Sequence, residues 1–246
     1  MLAFGVAATI AGCSMSPFGA SRGEWRSKGE AQCMASGLAK QAPYIVETKS
    51  PKGGGACGMD HALRVSALMG GRVKVSPAAT VNCPITAAVN NWVQKSVQPA
   101  AMRRFGQPVV EIKQMAAYSC RTRNSAGGKA SEHAFGNALD IGGFRLADGH
   151  EIVVKKHWSR GTASEQAFLR EVYNGACQTF YTVLGPGGDR HHGDHIHVDL
   201  LVSNTGKSGN YCRPRMQRIP NAPVARRQPM VMQAPRSAAS YSFSGN

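Results

Sequence analysis

The sequence predicts an α+β fold: one domain with a small antiparallel sheet and flanking helices. Three observations carry this. Between Pro84 and about Arg104, the apolar residues Ile85, Val89, Trp92, Val93 and Val97 recur near the helical period, so one face of a long helix is buried. Residues 163–178 repeat the pattern through Phe168, Leu169, Val172 and Cys177. Short apolar runs read as strands, with a hairpin turn at Ala147-Asp148-Gly149-His150, since Asp-Gly is a strong turn signal. Helices mixed with antiparallel strands make an α+β domain.

In order along the chain, residues 1–13 read as an export segment and 14–27 as a polar linker. The domain is expected over 28–212. A helix over 28–40 surrounds Cys33, Met34 and Leu38, and Tyr44-Ile45-Val46-Glu47 is a strand. Residues 50–55 form a glycine-rich loop, and β-rich pieces follow to Val75. After the long helix come strands at 109–112 and 117–120, then a polar loop from Asn124 to Ala130. The hairpin strands are 139–144 and 152–154. The loop Gly185-Pro186-Gly187-Gly188 lacks the Gly-Lys-Ser/Thr ending of a phosphate loop. Residues 213–246 carry six arginines, five prolines and no acidic residue, a composition that predicts a disordered basic tail.

A net charge of +15 over 246 residues and a pI near 9.9 favour anionic partners such as wall polymers or lipid headgroups. No nucleic-acid-binding motif occurs, so nucleic acid is not an expected partner. The opening apolar run ends in Ile10-Ala11-Gly12-Cys13, which resembles a bacterial lipobox with Cys13 as the lipidated residue. The run is shorter than the ~20 residues of a membrane-spanning helix. It also lacks the basic start of an export signal, which points to a start codon assigned too late. An exported, periplasmic, membrane-anchored monomer is expected. Removing Cys13 from seven cysteines leaves six, which read as disulfides in such a compartment. Pairing neighbours gives Cys33–Cys57, Cys83–Cys120 and Cys177–Cys212.

The chemistry centres on His191-His192-Gly193-Asp194-His195-Ile196-His197-Val198-Asp199-Leu200. Ile196, Val198 and Leu200 alternate with His195, His197 and Asp199, so a strand would bury one face and present two imidazoles and a carboxylate on the other. A plain His-rich strand explains this motif equally well on its own. A second stretch, Ser131-Glu132-His133-Ala134-Phe135-Gly136-Asn137-Ala138-Leu139-Asp140, adds a His and an Asp separated by mostly small residues. His133, Asp140 and His197 then make the open three-ligand set of a catalytic zinc site, with His195 beside the metal. Histidine is the side chain suited to proton transfer at neutral pH, which makes His195 the candidate general acid–base. A closed structural site with His195 as fourth ligand is the alternative. Asp194 or Asp199 could orient an imidazole from behind, and Ser131 adjoins the His133 stretch. His150, His157, His191 and His192 read as exposed loop residues.

These two motifs resemble those of the LAS metallopeptidases, the group that holds D-Ala-D-Ala carboxypeptidases. The resemblance is closer to the extensin-like protein C-terminal family, and includes Tyr118-Ser119-Cys120-Arg121, Gly143-Phe144-Arg145-Leu146-Ala147-Asp148-Gly149 and Val183-Leu184-Gly185-Pro186. It spans about Cys33 to Cys212. The resemblance implies a hedgehog/D,D-peptidase-like fold, a zinc cofactor, His195 as the proton-transfer group and Arg121 as a substrate-binding arginine. The implied activity is hydrolysis of peptidoglycan stem peptides, by carboxypeptidase or endopeptidase action. The competing expectation is a non-catalytic wall-associated lipoprotein that keeps the fold and metal.

Overall fold

The computed structural model describes residues 22–51, 55–124, 128–201 and 210–225, which fold around one sheet. The lipobox Cys13 lies outside the described residues. Helix α1 (Glu24–Ser36) is followed by strands β1 (Ile45–Thr48), β2 (Ala62–Leu68) and β3 (Val73–Val81). Next come α2 (Cys83–Trp92), a π turn (Val93–Val97), α3 (Gln98–Phe105) and β4 (Val109–Ala116). A 3-10 turn (Glu132–Phe135) leads into β5 (Ala138–Leu146), β6 (Glu151–Val153), α4 (Val154–Arg160) and α5 (Ala163–Thr179). Strands β7 (Thr182–Leu184), β8 (Ile196–Asp199) and β9 (Tyr211–Arg213) complete the sheet.

The fold is α+β, but the sheet is neither small nor wholly antiparallel. Its order is β1-β2-β3-β4-β5-β8-β7-β9, with β6 paired to β5. The β3·β4 and β7·β9 pairs are parallel. The helical crossover from β3 to β4 explains the first of these, since a parallel pair requires a long connection. Strand β5 is shared on one edge by β8, through 138–141, and by β6, through 143–145. Its other edge pairs with β4.

Local sequence explains the long helix. The Asn82 side chain caps it by accepting from Ile85 N at 3.1 Å, and Pro84 occupies the first turn, where a missing N–H costs nothing. Pro99 has no N–H for the carbonyl four residues back, and the turn just ahead of it is the widened π turn. Gly106 ends the helix in the left-handed region at φ 67°. The expected apolar face is buried: Ile85, Val89, Trp92, Val93 and Val97 are all inaccessible or nearly so. Trp92 sits between Phe144 and Phe180 and donates its indole N–H to Val172 O at 3.1 Å. Helix α5 opens with a capping box between Thr162 and Glu165. It meets the π turn at Gly175, where a Cβ would lie 2.4 Å from Ser96 Oγ.

Several expected boundaries change. Helix α1 starts at Glu24, inside the expected linker, and stops at Ser36 because Gly37 takes φ 68°. Residues 117–120 leave the sheet instead of forming a strand. Helix α4, absent from the sequence reading, follows β6 directly, and His157 on it is buried rather than exposed. Two expected disulfides are replaced by Cys33–Cys83 and Cys57–Cys120, while Cys177–Cys212 forms as paired. The crossed pattern joins elements distant in sequence, α1 to α2 and the loop before β2 to the segment after β4. Disulfides of this kind mark an exported protein. Among the described residues, no helix is long and apolar enough to cross a membrane.

The basic tail also departs from expectation at its start. Residues 214–225 lie as a strap along α3 and α5. Tyr173 Oη donates to Pro214 O at 2.6 Å, and Asn174 exchanges two hydrogen bonds with Gln217. Arg104 donates to Ala222 O at 2.9 Å, and Ala225 N donates to Arg103 O at 2.8 Å. The expected disorder beyond the strap concerns residues 226–246, outside the described residues. Removing the strap leaves the buried Tyr173 hydroxyl without its acceptor Pro214 O, a loss of about 2 kcal/mol. Truncation after Arg213 should therefore lower the melting temperature by about 4–8 °C. Truncation after Ala225 should leave it unchanged. Scanning calorimetry of the two truncations makes the comparison, and equal melting temperatures would show that the strap adds nothing.

Candidate metal centre

Three elements bring His133, Asp140 and His197 together. His133 lies in the 3-10 turn, which is capped by Ser131: its Oγ accepts from His133 N at 3.4 Å. The turn closes at Gly136, whose φ of 58° sets the chain into β5. Asn82 N donates to Gly136 O at 2.8 Å, and Asn82 Nδ2 reaches Phe135 O and Asn137 Oδ1. Asp140 on β5 is directly opposite His197 on β8 in the antiparallel register. All three residues are buried, and one ligand atom of each lies within 4.8 Å of the others.

The hydrogen bonds fix the proton positions. His133 Nδ1 is 2.6 Å from Ala117 O, and a carbonyl can only accept, so Nδ1 carries the proton. His133 Nε2 therefore points inward, 3.2 Å from both His197 Nδ1 and Asp140 Oδ1. His197 Nε2 donates to Asp199 Oδ2 at 3.0 Å, and its Nδ1 faces Asp140 Oδ1 at 2.8 Å. Asp199 is held in turn by Leu201 N at 3.0 Å. An inward carboxylate and two inward imidazole nitrogens, each ring anchored from behind, form a donor set that fits a divalent metal.

Without a metal, a proton takes that role. Burial works against the His197 imidazolium, but hydrogen bonds to Asp140 and Asp199 carry its pKa up to about 9. Burial likewise opposes the Asp140 carboxylate, yet hydrogen bonds from His133 and His197 hold it well below the usual carboxylate range. The sign of each effect follows from linkage. The raised His197 adds stability that is full below its unfolded value of 6.5 and lost as pH rises through about 9. The depressed Asp140 adds stability that is present above 3.8 and lost as pH falls through its folded value. Metal-free protein should accordingly gain most from this pair between about pH 4 and 6.5. Metal affinity should rise with pH toward 9, since the metal displaces the His197 Nδ1 proton. Chelator competition at several pH values reads this directly, and an affinity flat from pH 6 to 9 would contradict it.

The other predicted residues surround the triad. His195 sits just before β8, its Nε2 3.6 Å from Asp140 Oδ1 and its Nδ1 2.7 Å from Asp194 Oδ1. Asp194 can turn back to its neighbour because β8 begins only at Ile196. Arg121 bonds to Thr122 O and Asn124 Oδ1 at 3.2 and 3.3 Å, and it lines a cleft of about 350 Å³ that opens onto His197. Arg123, Tyr181, His192 and Tyr211 also line that cleft.

His192 is not the exposed loop residue that the sequence suggested. Its ring lies 5.1 Å from His195 and 5.7 Å from His197, and burial lowers its pKa. Asp189 Oδ1 holds it by accepting from His191 N, His192 N and His192 Nδ1 at 2.8, 3.1 and 2.7 Å. The Asp-x-x-His spacing of an Asx turn was the legible sign of this.

Searches of curated proteins and of solved structures return no match to the chain. The family described as Extensin-like protein C-terminus matches residues 31–213, which takes in the triad, His195, both arginines and all the disulfide cysteines. The chain belongs to the extensin-like protein C-terminus family.

Proposed function

We propose that the protein is a zinc-dependent peptidase of D,D-peptidase-like fold acting on peptidoglycan stem peptides in the bacterial periplasm. The observation that supports this best is the buried His133–Asp140–His197 donor set, with His195 standing beside it, off the set, and with His197 lining a cleft. Zinc bound there supplies Lewis acidity and an activated water. Two imidazoles and one carboxylate suit zinc among the divalent metals.

The chain's own residues do the rest. His133 and His197 are locked in ring orientation by Ala117 O and Asp199. His195, oriented by Asp194, takes the proton from the attacking water and returns it to the leaving amine. Arg121 and Arg123 offer guanidinium groups to a peptide carboxylate in the cleft. The net charge of +15 favours residence on anionic wall polymer. Attachment through a lipid on Cys13 completes this reading.

The test is incubation of zinc-loaded protein with intact wall sacculi, followed by mass analysis of the soluble and digested wall peptides. A released D-amino acid indicates a carboxypeptidase, and a cut cross-link an endopeptidase. Unchanged peptides from protein that co-sediments with the sacculi would favour the non-catalytic wall-binding protein instead.

A further inference from the structure

Glu132 precedes the ligand His133, and its carboxylate is buried at 2% side-chain exposure. A carboxylate so placed needs partners, and both oxygens have them. Arg26 of α1, 106 residues away in sequence, donates to Oε1 and Oε2 at 2.7 and 2.8 Å in a two-pronged pair. The Arg26 guanidinium also lies 3.7 Å from the centroid of the Phe135 ring, at the other end of the same turn. One side chain therefore grips the His133 turn by both ends.

The network continues to the second histidine. Asn137 Nδ2 donates to Glu132 Oε2 at 2.8 Å and to Leu200 O at 3.1 Å. Leu200 directly follows β8, which carries His197 and Asp199. Asn137 N also donates to Glu132 O at 3.0 Å. Both histidine ligands are thus tied, through Glu132 and Asn137, to a guanidinium on the first helix. We infer that Arg26 is a positioning residue of the metal centre: through Glu132 it fixes the turn that aims His133, and through Asn137 the end of the strand that carries His197. Its effect on metal affinity rests on the zinc reading above; its effect on the turn does not.

The test compares four variants of the full chain. Arg26→Ala breaks the pair. Arg26→Ala with Glu132→Gln breaks it without leaving a buried charge alone. Arg26→Lys keeps the charge but loses the fork. Arg103→Ala is the control, since Arg103 also forms an ion pair between distant elements but with Glu171 of α5, which makes no bond to the turn. Two quantities are read at temperatures where each variant is folded. The first is zinc affinity by chelator competition. The second, on metal-free protein, is the nuclear magnetic resonance signal of the His133 Nδ1 proton, which the bond to Ala117 O protects from exchange.

The broken-pair variants should bind zinc about tenfold more weakly and lose the protected signal. Arg26→Lys should fall between them and the wild type, and Arg103→Ala should match the wild type in both readings whatever its melting temperature. Wild-type affinity and a protected signal in the double variant would overturn the inference. If the double variant does not fold, Arg26→Lys decides, and wild-type values there would overturn it equally. If the wild type binds no zinc, the zinc reading fails by itself. The His133 signal then decides: its loss in the variants supports the positioning role, and its persistence overturns it.

Discussion

Replacing His197 by Ala is expected to abolish metal binding and activity together. His197 contributes the Nδ1 that stands 2.8 Å from Asp140 Oδ1 and 3.2 Å from His133 Nε2, so its loss leaves two ligands in the buried site. It also leaves Asp140 without its nearest hydrogen-bond donor in a buried place, which should cost stability in the metal-free protein as well. His195→Ala should behave differently. Its Nε2 lies 3.6 Å from Asp140 Oδ1, and its Nδ1 is engaged by Asp194, so it stands beside the donor set rather than in it. The metal should stay, and turnover should fall ~10²–10⁴-fold, the scale for a lost general acid–base. Metal content by mass spectrometry and turnover on wall peptides separate the two variants. Loss of zinc from His195→Ala would make His195 a fourth ligand and the site a closed, structural one.

Removing the Cys57–Cys120 disulfide by double replacement with Ser should carry the next largest effect. The pair closes a loop of sequence separation 63, which corresponds to about 4 kcal/mol in the loop-entropy account. At this chain length that is a fall of about 8–16 °C in melting temperature. The disulfide also lies three residues from Ala117, whose carbonyl anchors His133, and one from Ser119, whose N–H donates to His133 O at 3.1 Å. Its loss should therefore weaken zinc binding by about tenfold, the usual cost of loosening a ligand's support. Cys177–Cys212 makes the comparison: β9 is separated from β8 by β7, so its removal should lower stability and leave metal affinity alone. Calorimetry and chelator competition on both double variants check this. Equal metal affinities in the two would show that the His133 anchor stands without the Cys57–Cys120 bond.

The sequence was most readable where a local period set the outcome. Alternation at 196–200 was enough to pair Ile196 and Val198 with the core and to set His197 and Asp199 on one face. The helical period did the same for Ile85, Val89 and Trp92. It was least readable where the deciding contact is distant. The disulfide partners depend on α1 lying against α2, which no spacing between Cys33 and Cys83 reveals. The strap over 214–225 looked disordered because its composition lacks large apolar residues, yet it is held by backbone hydrogen bonds to Arg104, Tyr173 and Asn174, to which composition is blind. Strand β3 extends to Val81 although Pro77 and its small neighbours interrupt the apolar pattern. His192 looked free because no spacing shows that the turn held by Asp189 brings its ring against those of His195 and His197.

The register that sets Asp140 opposite His197 has a consequence for the order of events in the life of the chain. The two residues are 57 positions apart, and Arg26 is 106 from the glutamate it holds. Pairings this distant close late, because the entropy of long loops must be met before the contacts can reward it. A chain emerging unfolded on the far side of a membrane therefore carries no metal centre until β8, near its end, has docked against β5. A metal held by this site would then be acquired from the compartment in which folding finishes, not from the one in which synthesis began, and the metal supply of that compartment would set how much of the protein carries it.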